Sequence, residues 1–166
     1  MTYARFEELP VWQEAIRLVD EVYNMTEQKN WPGSRSLRDQ LERAALSVSN
    51  NIAEGFERGT TNELLAFLYI ARGSAGEVRS MLCFLERREG FAYFKSQMSD
   101  LKAIAESCSK QLRGWADHLQ NSDIRGQRHL NEKTRSSYRS KGDAEEFQKE
   151  ILAMLPPDHP LRKTEK

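Results

Sequence analysis

Along the first 120 residues, apolar side chains recur at alternating steps of four and three, the period that gathers them on one face of an α-helix. After Leu9-Pro10, the positions Trp12, Ile16, Val19 and Tyr23 make one stripe, and Val11, Ala15, Leu18 and Val22 make a second beside it. Two adjacent stripes form a face wider than a single neighbour needs. Asn30-Trp31-Pro32-Gly33-Ser34 then reads as a turn carrying an aromatic plug.

A second helix starts with Ser34 or Ser36 as its cap, Asp39 standing three residues after Ser36 as a weak capping box. Its seam is Leu37, Leu41, Ala44 and Val48; the same spacing then lands on Asn51 and Gly55, with Ile52 and Phe56 restoring the burial alongside. Gly59 is placed to close it. The third helix has the clearest start, with Thr60 as cap and Glu63 at the third position. Its seam Leu64, Leu68, Ala71, Ala75, Val78, Leu82, Leu85 is unbroken, and from Leu64 to Ala71 only Tyr69 carries a polar group. A helix apolar all round has to be covered all round. Gly73 and Gly76, inside it, cost about 1 kcal/mol each against alanine, so close approach of another helix is expected there. Gly90 is read as its closing residue. The fourth repeats the rhythm: Phe94, Met98, Leu101, Ala105, Cys108, Leu112, Trp115, Leu119. Four such helices with short connectors predict an all-α, antiparallel, up-down-up-down four-helix bundle over 1–120.

Beyond that point the pattern stops. Apolar residues number 53 in 1–120 and only 11 in 121–166. Residues 121–142 read as a basic, disordered linker, and 143–156 as one short amphipathic helix with Phe147, Ile151, Met154 and Leu155 on one side. Residues 157–166 read as a disordered tail. A helix with so small an apolar face needs a groove, on its own bundle or on a partner.

Charge adds a restriction rather than an answer. Lys plus Arg is 25 and Asp plus Glu is 25, so no global basic field announces nucleic acid. Ala plus Leu outnumber Val plus Ile by 31 to 11, against a sheet-rich fold. With no run of 18 apolar residues and no signal layout at the start, a cytoplasmic chain without a membrane partner is expected. Cys83 and Cys108 are expected as small buried hydrophobes. In a hairpin turning near Phe91, position 83 faces 99 and Cys108 lies about 13 Å further on, beyond disulfide reach.

Chemistry is hard to find. His118, His129 and His159 are scattered, and no Glu-x-x-His, His-Glu-x-x-His or Cys-x-x-Cys spacing occurs, so neither metal nor cofactor is expected. Ser47 and Ser49 have no histidine base on a neighbouring turn. Glu54 and Glu77 are better read as partners of arginines than as a catalytic carboxylate pair. The expectation is a protein that is not an enzyme. One polar feature stands out: Asn50, Asn51 and Glu54 occupy the half of the second helix that should be buried. A seam asparagine is best attested as a device that sets register or oligomer state.

The stretch Gln40 to Arg58, with Arg43-Ala44-Ala45, Ser47 and Asn51-Ile52-Ala53-Glu54-Gly55, resembles the hallmark segment of the four-helix-bundle proteins found as reading frames in intervening sequences of bacterial 23S rRNA genes. The likeness continues through Glu63 to Ser74, into Glu77, and back to the opening Phe6 to Gln13, covering about 6–119. It implies antiparallel bundles assembled as homo-pentameric rings, for most of which no molecular function is known. It also implies a more distant similarity to the accessory protein of diversity-generating retroelements, a basic pentameric bundle that engages reverse transcriptase and RNA.

Two functions follow as expectations. In one, a homo-oligomer, pentameric by resemblance, accompanies RNA or a nucleic-acid enzyme. Its subunit contacts would use Asn51, Glu54, Trp12, Phe67 and Ile70. Its phosphate contacts would be Arg35, Arg38, Arg43, Arg72, Arg79, Arg87 and Arg88, with Arg125, Arg128, Arg135 and Arg139 from the linker. In the other, the ring is a scaffold that docks a protein through Phe147, Ile151, Met154 and Leu155.

Overall fold

Proline fits the first turn of a helix because that turn's N–H groups lack intrahelical partners anyway. Helix α1 (Pro10–Thr26) begins there, after a 3-10 turn at Phe6–Glu8. The architecture is that of a computed structural model, which describes residues 3–121. The rest of the expected linker, the helix over 143–156 and the tail lie outside the described residues, as do Arg125, Arg128, Arg135, Arg139, Phe147, Ile151, Met154 and Leu155.

Helix α2 spans Arg35–Glu57 and is capped by Ser34, whose Oγ accepts from the Leu37 N–H at 3.3 Å. Ser36 therefore lies inside the helix, and Asp39 faces Arg35 at 3.9 Å instead of completing a capping box. Helix α3 spans Thr61–Glu86. Thr60 Oγ1 accepts from the Glu63 N–H at 3.3 Å and donates to the Glu63 carboxylate at 2.7 Å, tying the first turn down as its sequence predicted. Helix α4 (Lys95–Gln120) follows a second 3-10 turn, Glu89–Phe94.

The four helices close a ring of contacts: α1 packs on α2 and α4, and α3 packs on the same two. Side-chain pairs give the directions. Gln40 reaches Glu77 and Ser47 reaches Ser74, so residue numbers rise along α2 as they fall along α3. Lys102 on Glu86 and Gln120 on Tyr69 give the same antiparallel sense to α3 and α4. The α3 seam from Leu64 to Leu85 is buried at every predicted position. So is the α4 seam from Phe94 to Leu112, while Trp115 and Leu119 are partly covered. In α1 the second stripe, Val11, Ala15, Leu18 and Val22, goes to the core with Val19 and Met25. Trp12 and Tyr23, from the first stripe, pack only partly against it.

One end of the bundle is closed by rings. Trp31 leaves the α1–α2 connector and meets Phe91 edge-on at 5.0 Å and Phe94 at 5.7 Å. Its indole lies so close over Gly33 that a Cβ there would stand 2.7 Å from Nε1. That fit leaves the buried Nε1–H without an acceptor among the described residues.

Four sequence expectations are corrected. Neither Gly59 nor Gly90 uses the left-handed backbone of a helix-closing glycine: no residue described has positive φ. Arg58, in extended backbone, ends α2, and Arg87 ends α3 three residues before Gly90. Among the described residues Gly73 and Gly76 meet no close helix, since a Cβ on either would have nothing within 4 Å. The close approach occurs at Gly55, where a Cβ would stand 2.7 Å from Phe67 Cβ. Cys83 is exposed; only Cys108 is buried, and both are free thiols. A spacing assigns a residue to a face only approximately, and Cys83 falls one position beyond the Leu82 seam.

Candidate nucleic-acid and self-association surfaces

The α2–α3 contact is stitched by small polar groups. Asn51 Nδ2 donates back to the Ser47 carbonyl at 2.7 Å and to Ser47 Oγ at 3.0 Å. Ser47 Oγ and Ser74 Oγ share a hydrogen bond of 2.8 Å across the helices, and the Ser74 hydroxyl can also donate to the Ile70 carbonyl at 3.1 Å. Asn51 is half-buried rather than sealed in the core. Ser47 and Ser74 were not among the predicted site residues. The signal was present, since a serine four residues before a seam asparagine can take its amide proton within one helix.

Lower on the same contact, Glu54 pairs with Arg58, and the Arg58 guanidinium lies over the Phe67 ring at 5.1 Å. The α2–α3 boundary thus holds two separate sets of contacts, Asn51 with Ser47, Ser74 and the Ile70 carbonyl, and Glu54 with Arg58 and Phe67. Trp12 is not joined to them by any hydrogen bond or ring contact; its ring stands edge-on to Phe6 at 5.3 Å. Glu54 and Glu77 do not form a pair, because Glu77 accepts from Gln40 some way along the helix.

The outward face of α3 is unusual. Ile70 is 51% exposed, Tyr69 44% and Phe84 52%, and Gly73 and Gly76 lie in the open between them. Ordinary surface helices turn charged side chains to this side. Here two glycines and three large exposed side chains share that side with Arg72, Glu77 and Ser80.

The arginines divide into two sets. Arg38 is held by Glu42 at 2.7 Å with Glu27 at 3.7 Å, and the Glu42 hydrogen bond raises the guanidinium pKa above its ordinary value. Arg35 has Asp39. Arg43, Arg72, Arg79, Arg87 and Arg88 have no ion-pair partner among the described residues. Glu86, which could have neutralised the last two, is taken by Lys102 of α4 at 2.6 Å. Two shallow depressions share Arg87 and Arg88, one lined also by Ser80, Cys83 and Phe84, the other by Pro32, Glu89, Gly90 and Phe91. Exposed Phe84 beside these arginines, and exposed Tyr93 in the 3-10 turn that follows, were missed by sequence reasoning, which gave Phe84 no role and read Phe94 as the start of the last helix.

Burial pushes the Cys108 thiol up to about 12, with the nearby Glu14 charge adding to the effect, so it is a neutral packing group. Among the described residues no group of three His, Cys, Asp or Glu side chains could hold a metal ion. No described helix is long and apolar enough to cross a membrane.

Residues 7–114 match the family described as 23S rRNA-intervening sequence protein. Among solved structures, the chain is similar to a Bacteroides thetaiotaomicron protein of unknown function from the S23 ribosomal protein family. The identity is 21% and the TM-score 0.56, over 64% of this chain and 97% of that one. That likeness bears on the fold alone. No curated protein matches the chain.

Proposed function

The chain belongs to the 23S rRNA-intervening sequence protein family, and from that premise we propose that it is a non-enzymatic, self-associating bundle that accompanies RNA. The observation that carries the RNA reading is that five arginines form no ion pair among the described residues, where the other described arginines are paired. An unpaired guanidinium has donors free for phosphate oxygens, and a ring of copies multiplies each one. Self-association is supported by the open α3 face. Two internal glycines cost about 2 kcal/mol of helix propensity together, with no packing return among the described residues. A second copy pressing its backbone close at Gly73 and Gly76 offsets that cost and covers Ile70. A pentamer is the assembly proposed, by family resemblance.

The test is binding of the full chain to RNA over a salt series, with light scattering of the same samples. The reading expects a mass several times the 19.2 kDa of one chain, and affinity falling steeply with salt. A monomer would refute the self-association reading. Absence of RNA binding at low salt would refute the RNA reading.

A further inference from the structure

Resting on the RNA reading above, we propose that the corner where α3 hands over to α4 is a binding site for single-stranded RNA. Phe84 and Tyr93 would stack unpaired bases, and Arg87 and Arg88 would hold the adjoining phosphates.

Three independent observations meet at this corner. The first is aromatic exposure: at the end of α3 Phe84 is 52% exposed, and in the 3-10 turn that follows Tyr93 is 75% exposed between the buried Phe91 and Phe94. Tyr93 stands edge-on against Phe94 at 5.2 Å, which fixes its ring without covering it. A large exposed ring on a rigid turn loses little entropy on stacking, and every base offers it a π-face. The second is charge. Arg87 and Arg88 have no ion pair among the described residues, and the Arg88 guanidinium lies 5.9 Å from the Phe84 ring centroid. A cation beside an exposed ring can meet a phosphate while the ring meets the attached base. The third is shape: the two depressions flanking these arginines give a strand somewhere to run.

The helix dipole explains why arginines suit the end of α3. It does not explain the exposed rings of Phe84 and Tyr93. A duplex would satisfy the arginines but leave the rings idle, since its bases are already stacked. The site is therefore specific for single strands.

The experiment uses the full chain and a fluorescein-labelled oligouridine of about 12 nucleotides, within the usual span of a stacking site. Fluorescence anisotropy is followed over a salt series. Arg87→Ala/Arg88→Ala is expected to weaken binding at least tenfold at about 50 mM salt and to reduce the log–log salt slope by about 1.4, two phosphate contacts at about 0.7 each. Tyr93→Ala is expected to weaken binding about tenfold with the slope unchanged, as loss of one stacked base would. Lys110→Ala removes a charge that is paired with Glu106 at 2.9 Å and should leave binding unchanged. Each variant's thermal melt is compared with the parent, and all the substituted side chains are exposed.

If the parent binds and the corner variants bind equally well, the corner is refuted while the RNA reading stands. The same holds if Lys110→Ala is as damaging as the arginine variant. If duplex RNA of the same length competes as well as the single strand, the stacking role is refuted. If the parent chain binds no RNA, both readings fall together.

Discussion

Both long faces of α3 carry apolar residues, and these have opposite fates. The inward face, Leu64, Leu68, Ala71, Ala75, Val78, Leu82 and Leu85, is buried throughout. The outward face carries Ala66, Ile70, Gly73, Gly76 and Phe84 among Tyr69, Arg72, Glu77 and Ser80, and stays open. Hydrophobicity alone did not decide between them. What differs is side-chain volume along each face: leucines fill both ends of the inward face around Ala71 and Ala75, whereas the middle of the outward face is reduced to glycine. A full face fills the space between helices of one chain, whereas a stripped face only pays when another backbone comes close.

The largest effect expected from this contrast is at Leu68, 1% exposed and central. Leu68→Ala should cost about 2–5 kcal/mol in chemical denaturation, the range for an unrelieved core cavity. Ile70→Ala should leave single-chain stability nearly unchanged and instead lower the assembled mass in light scattering. Equal destabilisation by both would erase the distinction between the faces.

The glycines sharpen it. Gly55→Ala places a methyl 2.7 Å from Phe67 Cβ, a position tied to the backbone, and should cost about 1–3 kcal/mol. Gly73→Ala meets nothing among the described residues and should stabilise the isolated bundle by about 1 kcal/mol. The same substitution should weaken assembly. A Gly73→Ala variant that melts higher and assembles as tightly as the parent would remove the argument for close approach.

Across the α2–α3 boundary, Ser74→Ala leaves the Ser47 hydroxyl with its Asn51 donor but without its partner on α3. A loss of about 1 kcal/mol is expected in the denaturation midpoint. Asn51→Leu should keep the helical circular dichroism and change assembly number or homogeneity.

The smallest effect at neutral pH concerns the thiols. Cys83 should react with a disulfide reagent in the native protein, and Cys108 only after unfolding; simultaneous reaction would contradict the burial assignment. The Cys108 pKa is raised on folding, so the neutral thiol is the form the fold favours. Its contribution is fully present below the unfolded thiol pKa and declines as pH rises from about 9 towards about 12. Cys108→Ala should remove that alkaline decline from the stability profile.

Much of the fold was legible because helix period and caps are local. The four-three spacing of α3 and α4 named their core positions, and Thr60 with Glu63 named the start of α3, since each rests on residues within one or two turns. The sites were less legible. Arg38 and Arg87 look alike in a sequence. Their difference lies in Glu42, one turn away and available, and in Glu86, one position away but drawn off by Lys102 from another helix. Cys83 and Cys108 both fall in helical patterns, and a shift of one residue from the seam separates an exposed thiol from a buried one.

The sequence by itself determined the helices, their inward faces and the family, because these depend on periodicity and on a run of residues from Gln40 to Arg58. Only the tertiary structure decided which helix crowds which glycine, which arginine keeps its charge unanswered, and where Trp31 goes. Those outcomes depend on contacts between residues far apart in the chain, such as Gly55 with Phe67 and Trp31 with Phe91, and no local pattern encodes a distance across the bundle.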